Sequence, residues 1–145
     1  MKKWQRNLTL IVLVLVGIFA LLSFTAYTKQ GMSTVVRLWE NQLTSYAEAL
    51  ISEGGSEAYL PEKAKGFGYR IDVCPLSQCV FFKHNTFKET GFFYSASGNP
   101  VGYLGQDVTF EKKGNGWLWN EGASSDNWFY AEHIVGNWYW YEMHY

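Results

Sequence analysis

Residues 128–144 read WFYAEHIVGNWYWYEMH, and this stretch decides the fold. Its two halves, 128–135 and 138–144, are rich in aromatic and β-branched residues, which favour strands. Gly136-Asn137 between them suits a two-residue hairpin turn of type II′. Neighbouring side chains of a strand point to opposite faces, so the hairpin is predicted to place large rings on both faces of a sheet.

Shorter runs before this hairpin are candidates for further strands, and with the hairpin they make eight candidates for an expected sheet of six or seven strands. They are expected at residues 67–73, 80–84, 91–96, 101–104, 106–111 and 117–120. Asn115-Gly116 supplies the two positive-φ positions of a type I′ turn. Tight turns between consecutive strands are typical of an antiparallel meander.

One amphipathic helix is expected ahead of the sheet, between residues 32 and 51. Its apolar side chains recur every three or four positions: Met32, Val36, Trp39, Leu43, Tyr46, Ala47 and Leu50. Gly54-Gly55 is a C-cap signal, and residues 56–65 form a polar connector. The prediction is an α+β fold, with this helix packed on the meander. A small β-barrel with the helix as its plug is the alternative.

The same stripe also fits a short heptad pattern. Val36, Trp39, Leu43 and Leu50 would then form the seam of a homodimer. A helix that covers its own sheet shows the same spacing, so both interpretations stay open.

Residues 8–27, LTLIVLVLVGIFALLSFTAY, contain no charged side chain. At about 1.5 Å per residue a helix of this length reaches about 30 Å, the thickness of a bilayer core. Lys2, Lys3 and Arg6 precede it without an acidic residue, which predicts a cytoplasmic stub at residues 1–7. A cleaved secretory signal is the alternative, but a cut after Ala26 would place Phe24 at the position that needs a small residue.

The predicted organisation is therefore a stub (1–7), a transmembrane helix (8–27), a juxtamembrane amphipathic helix (28–55) and a β domain (56–145). In a bacterium the protein would be a single-pass protein of the inner (plasma) membrane with a periplasmic C-terminal domain. Residues 28–145 hold nine basic and all thirteen acidic residues, a formal charge of −4. This balance disfavours a nucleic-acid partner.

Cys74 and Cys79 are the two cysteines, separated by four residues. In an oxidising compartment such a pair predicts a disulfide that staples a turn. A redox switch and a zinc site that includes His84 are alternatives. The spacer is longer than that of the Cys-x-x-Cys motif, and no second ligand pair has recognisable spacing. No metal or cofactor is therefore expected.

Acidic and histidine side chains also occur in the last hairpin. If Val135 faces Trp138, then Glu132 faces Tyr141, and His133 faces Trp140 and lies diagonal to Glu142. Glu132, His133, Glu142 and His144 could then cluster for pH sensing, metal binding or catalysis. A solvated polar edge is the expected alternative, and an enzyme is not favoured.

The tryptophans of the C-terminal third are the predicted recognition surface: Trp119, Trp128, Trp138 and Trp140. One face of the sheet can fill the core against the helix, and the other face needs a cover. A protein partner, an apolar or sugar-like ligand, or a loop such as 121–127 would provide it.

The segment FFYSASGNPVGYLG (92–105) resembles the central hairpin of PAS-like periplasmic sensor domains, which implies a sensor. The organisation of the chain is also similar to that of small companions of membrane-bound transcriptional regulators. The predicted function is an envelope protein that binds a partner, and a small ligand, as an accessory or co-sensor subunit. An immunity or assembly protein without a ligand is the alternative, and a periplasmic enzyme is the third class.

Overall fold

The computed structural model describes residues 3–25, 27–54, 69–85 and 89–145. They form an α+β structure, as predicted. Its helices are α1 Lys3–Thr25, α2 Lys29–Leu38 and α3 Glu40–Ser52. Its strands are β1 Arg70–Cys74, β2 Cys79–Asn85, β3 Glu89–Ser95, β4 Glu111–Lys113, β5 Gly116–Asn120, β6 Trp128–Val135 and β7 Trp138–His144. The predicted connector 56–65 and the first residues of the predicted strand 67–73 lie outside the described ranges.

The seven strands form one open antiparallel sheet in the order β1-β2-β3-β7-β6-β5-β4. The prediction of antiparallel strands is confirmed, whereas the closed barrel is wrong. The sheet is not a simple meander, because β7 pairs with β3 and joins two meanders. The connection from β3 to β4 therefore crosses the sheet. Residues 101–104 and 106–110 belong to this connection. The prediction that they form strands is wrong.

The β6–β7 hairpin has the predicted bounds and the predicted two-residue turn, with Gly136 at φ +51°. The predicted register is wrong beyond the first pair, since a β-bulge shifts the pairing between His133 and Val135. Ile134 is the extra residue, and it packs in the same core as Val135. Glu132 consequently pairs with Trp140 instead of Tyr141.

The β4–β5 turn also differs from its prediction. Lys113 pairs with Gly116, so the two turn residues are Gly114 and Asn115. Gly114 has φ +58°, and Asn115 is not among the positive-φ residues. A type I′ turn at Asn115-Gly116 is therefore wrong, because that turn needs positive φ at both central positions.

The single predicted helix is bent into α2 and α3 at Trp39. The path of backbone hydrogen bonds continues through the bend, from Trp39 N to Val35 O and from Leu43 N to Trp39 O. Trp39 itself has φ −118° and ψ 20°, outside the helical range. The bend lets both helices follow one face of the sheet.

The sheet has two buried faces with different covers. The helix-side face packs against α2 and α3, and the buried residues of the core that they share include Met32, Val36, Ala47, Leu50, Val80, Phe82, Phe92, Tyr94, Ile134, Trp138 and Trp140. The second face carries Cys79, Phe81, Phe93, Phe129, Ala131, Tyr139, Tyr141 and Met143. Its cover comes from the β3–β4 connection, through Val101, Tyr103 and Phe110. A loop therefore covers this face, as one of the predicted alternatives has it, but the loop is this connection and not residues 121–127.

Helix α1 exposes a series of large aliphatic side chains between residues 8 and 21. Ten of them are 48–67 % exposed: Leu8, Leu10, Ile11, Val12, Leu13, Val14, Leu15, Val16, Ile18 and Leu21. Taken over the described residues, no helix combines the length and the apolar character that crossing a membrane requires.

Candidate functional site

The four predicted recognition tryptophans do not share a surface. Trp138 is 0 % exposed and Trp140 is 7 % exposed, both beneath the helices. Trp138 also donates a hydrogen bond from Nε1 to Thr44 Oγ1 over 2.9 Å. Trp119 is half-buried and packs on the core of the second face. Trp138 and Trp140 are therefore core residues, and their prediction as a contact surface is wrong.

Trp128 lies on the helix-side face, where α2 and α3 leave part of the sheet uncovered. It lines a groove of about 450 Å³, called the Trp128 groove below, whose wall residues are Lys113, Gly114, Leu118, Asn120, Trp128, Tyr130 and Glu142. An aromatic wall with a few polar groups is typical of ligand and partner sites.

Tyr130 holds the wall of this groove in place. Its hydroxyl donates to Glu132 Oε2 over 3.0 Å and approaches the Lys113 carbonyl at 3.4 Å. Its ring tip lies over Gly116, where an added Cβ would meet the Tyr130 hydroxyl. Sequence reasoning missed Tyr130, although Gly116 two residues before Leu118 is a signal for a ring that crosses from the next strand.

Glu132 ties α2 to the sheet. Lys29 Nζ lies 2.6 Å from Glu132 Oε2 and 5.0 Å from the centre of the Trp140 ring. Burial raises the pKa of the Glu132 carboxyl, but the bonds from Lys29 and Tyr130 outweigh this, and the net pKa lies below its usual value. A cleft of about 310 Å³ beside this pair is bordered by Lys29, Arg37 and His133.

The predicted histidine and glutamate cluster does not form. His133 pairs with Tyr139 because of the bulge, and its ring lies edge-on to that tyrosine on the second face. His133 Nε2 lies 2.8 Å from the Gly136 carbonyl oxygen. His144 Nε2 lies 3.3 Å from Asp126 Oδ2. Glu142 pairs with Tyr130 in the Trp128 groove.

Within the described ranges, no three His, Cys, Asp or Glu side chains come together as ligands. The contacts of Glu132, His133 and His144 instead tie together neighbouring parts of the domain.

The predicted dimer seam is divided by the bend at Trp39. Val36 and Leu50 are buried against the sheet, and Leu43 packs partly against the same core. The residues that stay accessible are Trp39, 49 % exposed, and its neighbour Leu38, 73 % exposed. A continuous seam of Val36, Trp39, Leu43 and Leu50 is therefore wrong. Leu38, which the stripe did not include, joins Trp39 in an exposed apolar pair, called the Trp39 corner below.

The Trp39 corner and the Trp128 groove lie at opposite ends of the sheet. Glu40 reaches over Gly136 at the β6–β7 turn, so the corner lies at this turn end. At the other end the Tyr27 ring packs on His84, with ring centres 4.1 Å apart. We call this the Tyr27 end. Burial lowers the pKa of His84 there.

Cys74 and Cys79 are register partners at the β1–β2 hairpin, and both are thiols. The hydrogen bond between them lowers the pKa of the Cys74 thiol and, together with burial, raises the pKa of Cys79. Such neighbours need little movement to form the disulfide, which stays a prediction.

Comparison of the chain with protein-family models, curated proteins and solved structures finds no match. The segment 92–105, which resembles a PAS-like hairpin, is not a hairpin here. β3 ends at Ser95, and a 3₁₀ turn at Tyr103–Gly105 follows within the connection over the second face.

Proposed function

We propose that the chain is a single-pass protein of the bacterial inner membrane whose α+β domain lies in the periplasm. In this proposal the domain binds a protein partner and acts as an accessory or co-sensor subunit. The apolar run of residues 8–27 has the length of a membrane span, and the aliphatic surface of α1 is favourable only under an apolar cover. Lys2, Lys3 and Arg6 keep the N-terminus on the cytoplasmic side.

The Trp39 corner is the observation that carries the binding proposal. Two adjacent large apolar side chains project at a helix bend, although the stripe around them is buried. Burial of such side chains at an interface is worth about 1.5–3 kcal/mol each, and tryptophan is enriched among the residues that dominate binding. We place the protein contact here and the small-ligand contact in the Trp128 groove.

The junction between α1 and the domain supports a co-sensor role. Thr28 caps α2 by accepting a hydrogen bond from Gly31 N, Lys29 holds Glu132, and Met32 is fully buried. A displacement of the domain therefore pulls directly on the residues that follow α1. A displacement caused by partner binding at the corner can be transmitted to α1 through these contacts.

Crosslinking in intact membranes tests the binding proposal. The double variant Leu38→Ala/Trp39→Ala is expected to lose the crosslinked partner that mass spectrometry identifies for the wild type. Leu76→Ala is the matched control, since Leu76 is a fully exposed leucine in the β1–β2 turn, outside the helix bend. Equal crosslinking of the same protein by all three forms would contradict the assignment of the corner.

A further inference from the structure

We infer that the Tyr27 end of the sheet rests on the surface of the bilayer that holds α1, and that the Trp128 groove takes a phospholipid headgroup there. This inference rests on the proposed membrane anchor and identifies the ligand of the domain. Three observations lead to it: the length of the link after α1, the alignment of residues across the sheet, and the chemistry of the groove.

The link between α1 and α2 is too short to let the domain move far from the membrane. α1 ends at Thr25, and Thr28 already caps α2. Three residue steps cover at most about 10 Å of extended chain. Because Tyr27 packs on His84, the Tyr27 end of the sheet is the part of the domain next to the end of α1.

The part of the Trp128 groove around Trp128 and Tyr130 lies at the same level of the sheet as this contact, whereas Lys113 and Gly114 lie further toward the turn end. One row of register partners crosses five strands on the helix-side face: His84, Thr90, Glu142, Tyr130 and Leu118. Tyr27 sits at the His84 side of the row, and the groove lies about 19 Å away at the Leu118 side. Trp128 and Asn120 pair one row further toward the Tyr27 end.

The groove and its surroundings have the chemistry of the membrane interface. Tryptophan and tyrosine are enriched at the headgroup level, where their rings are half in apolar surroundings and half in water. Trp128 and Tyr130 line the groove, and Tyr145, 51 % exposed, follows β7 at the same end of the sheet, where its ring packs on Tyr103 of the second face. Lys113 gives the lining a cation that can pair with the phosphate of a phospholipid headgroup.

Tryptophan quenching by brominated lipid tests this arrangement in the full chain. The protein is reconstituted in vesicles of phosphatidylethanolamine and phosphatidylglycerol, with or without brominated acyl chains in the phosphatidylethanolamine. Bromination is expected to lower the emission of the wild type, and Trp128→Phe is expected to show a smaller loss. Trp39→Phe is the matched control, because Trp39 lies at the turn end and its removal should leave the quenched emission unchanged.

A second variant tests the inference independently, in case Trp128→Phe does not fold. Tyr145→Trp adds a tryptophan at the Tyr27 end and should increase the emission lost on bromination. If Trp128→Phe loses as much emission as the wild type and Tyr145→Trp adds no quenched emission, the inference is wrong while the anchor stands. Flotation of the vesicles after an alkaline wash separates the two proposals, since protein left behind would overturn the anchor itself.

Discussion

Trp138 and Trp128 lie on the same face of one sheet, ten residues apart in sequence, yet their surroundings differ completely. Trp138 is covered by α2 and α3 and bonded to Thr44. Trp128 stands beyond the reach of both helices and lines a groove. The comparison shows that the two helices leave the part of this face around Trp128 uncovered.

The largest expected effect is the difference in the free energy of unfolding between the alanine variants of the two tryptophans. Trp138→Ala should lower the free energy of unfolding by about 3–5 kcal/mol, because it leaves a large cavity and an unpaired Thr44 hydroxyl. Trp128→Ala should cost about 1 kcal/mol or less, as expected for a residue outside the packed core. Urea unfolding followed by circular dichroism measures both values, and equal losses would abolish the distinction between the two parts of the face.

A smaller effect is expected at the boundary between the covered and uncovered parts, where Lys29 pairs with Glu132. Glu132→Gln should lower the free energy of unfolding at pH 7 by about 0.5–1 kcal/mol, since the pair is partly exposed. The lowered pKa of Glu132 stabilises the folded state above the carboxyl pKa of the unfolded chain. That stabilisation is lost as pH falls through the folded-state pKa.

The measurement is the free energy of unfolding between pH 3 and pH 7. Glu111→Gln, a change on an exposed edge strand, is the control and should follow the wild type. If the free energy of unfolding of Glu132→Gln falls with decreasing pH as much as that of the wild type, the Lys29–Glu132 pair does not tie α2 to the sheet.

The smallest expected effect concerns His84 at the Tyr27 end. Burial lowers its pKa, so the folded state takes up fewer protons than the unfolded chain. Stability should therefore fall as pH decreases through the unfolded value of about 6.5, by less than the effect of Glu132. His84→Gln should flatten this part of the curve, and His133→Gln, which alters an exposed ring, is its control. An unchanged slope in His84→Gln would show that the junction with Tyr27 does not contribute to pH dependence.

The parts of the fold that local chemistry determines could be predicted from the sequence. The bounds of β6 and β7 follow from their aromatic composition and from Gly136-Asn137. The bulge at Ile134 could not be predicted, because two adjacent apolar residues before a glycine fit either register. That one-residue shift also removed the predicted contact of His133 with Trp140.

Long-range packing explains the other differences. Val108 and Phe110 alternate with polar residues as in a strand, but the pattern comes from a connection that lies on the second face. The stripe of residues 32–51 fits a dimer seam as well as a core face, and only the bend at Trp39 decides which side chains are accessible. Trp128 was identified from composition, whereas its partner Tyr130 depends on a diagonal contact over Gly116.

The most direct test of the account compares the two ends of the domain in a membrane. Single spin labels are placed by Trp128→Cys and Trp39→Cys in a Cys74→Ser/Cys79→Ser background, and the full chain is reconstituted in phospholipid vesicles. The label at position 128 should be relaxed more by oxygen, which concentrates in the bilayer, than by a water-soluble nickel chelate. The label at position 39 should show the opposite preference. The same preference for the nickel chelate at both positions would contradict an arrangement in which the Tyr27 end rests on the bilayer.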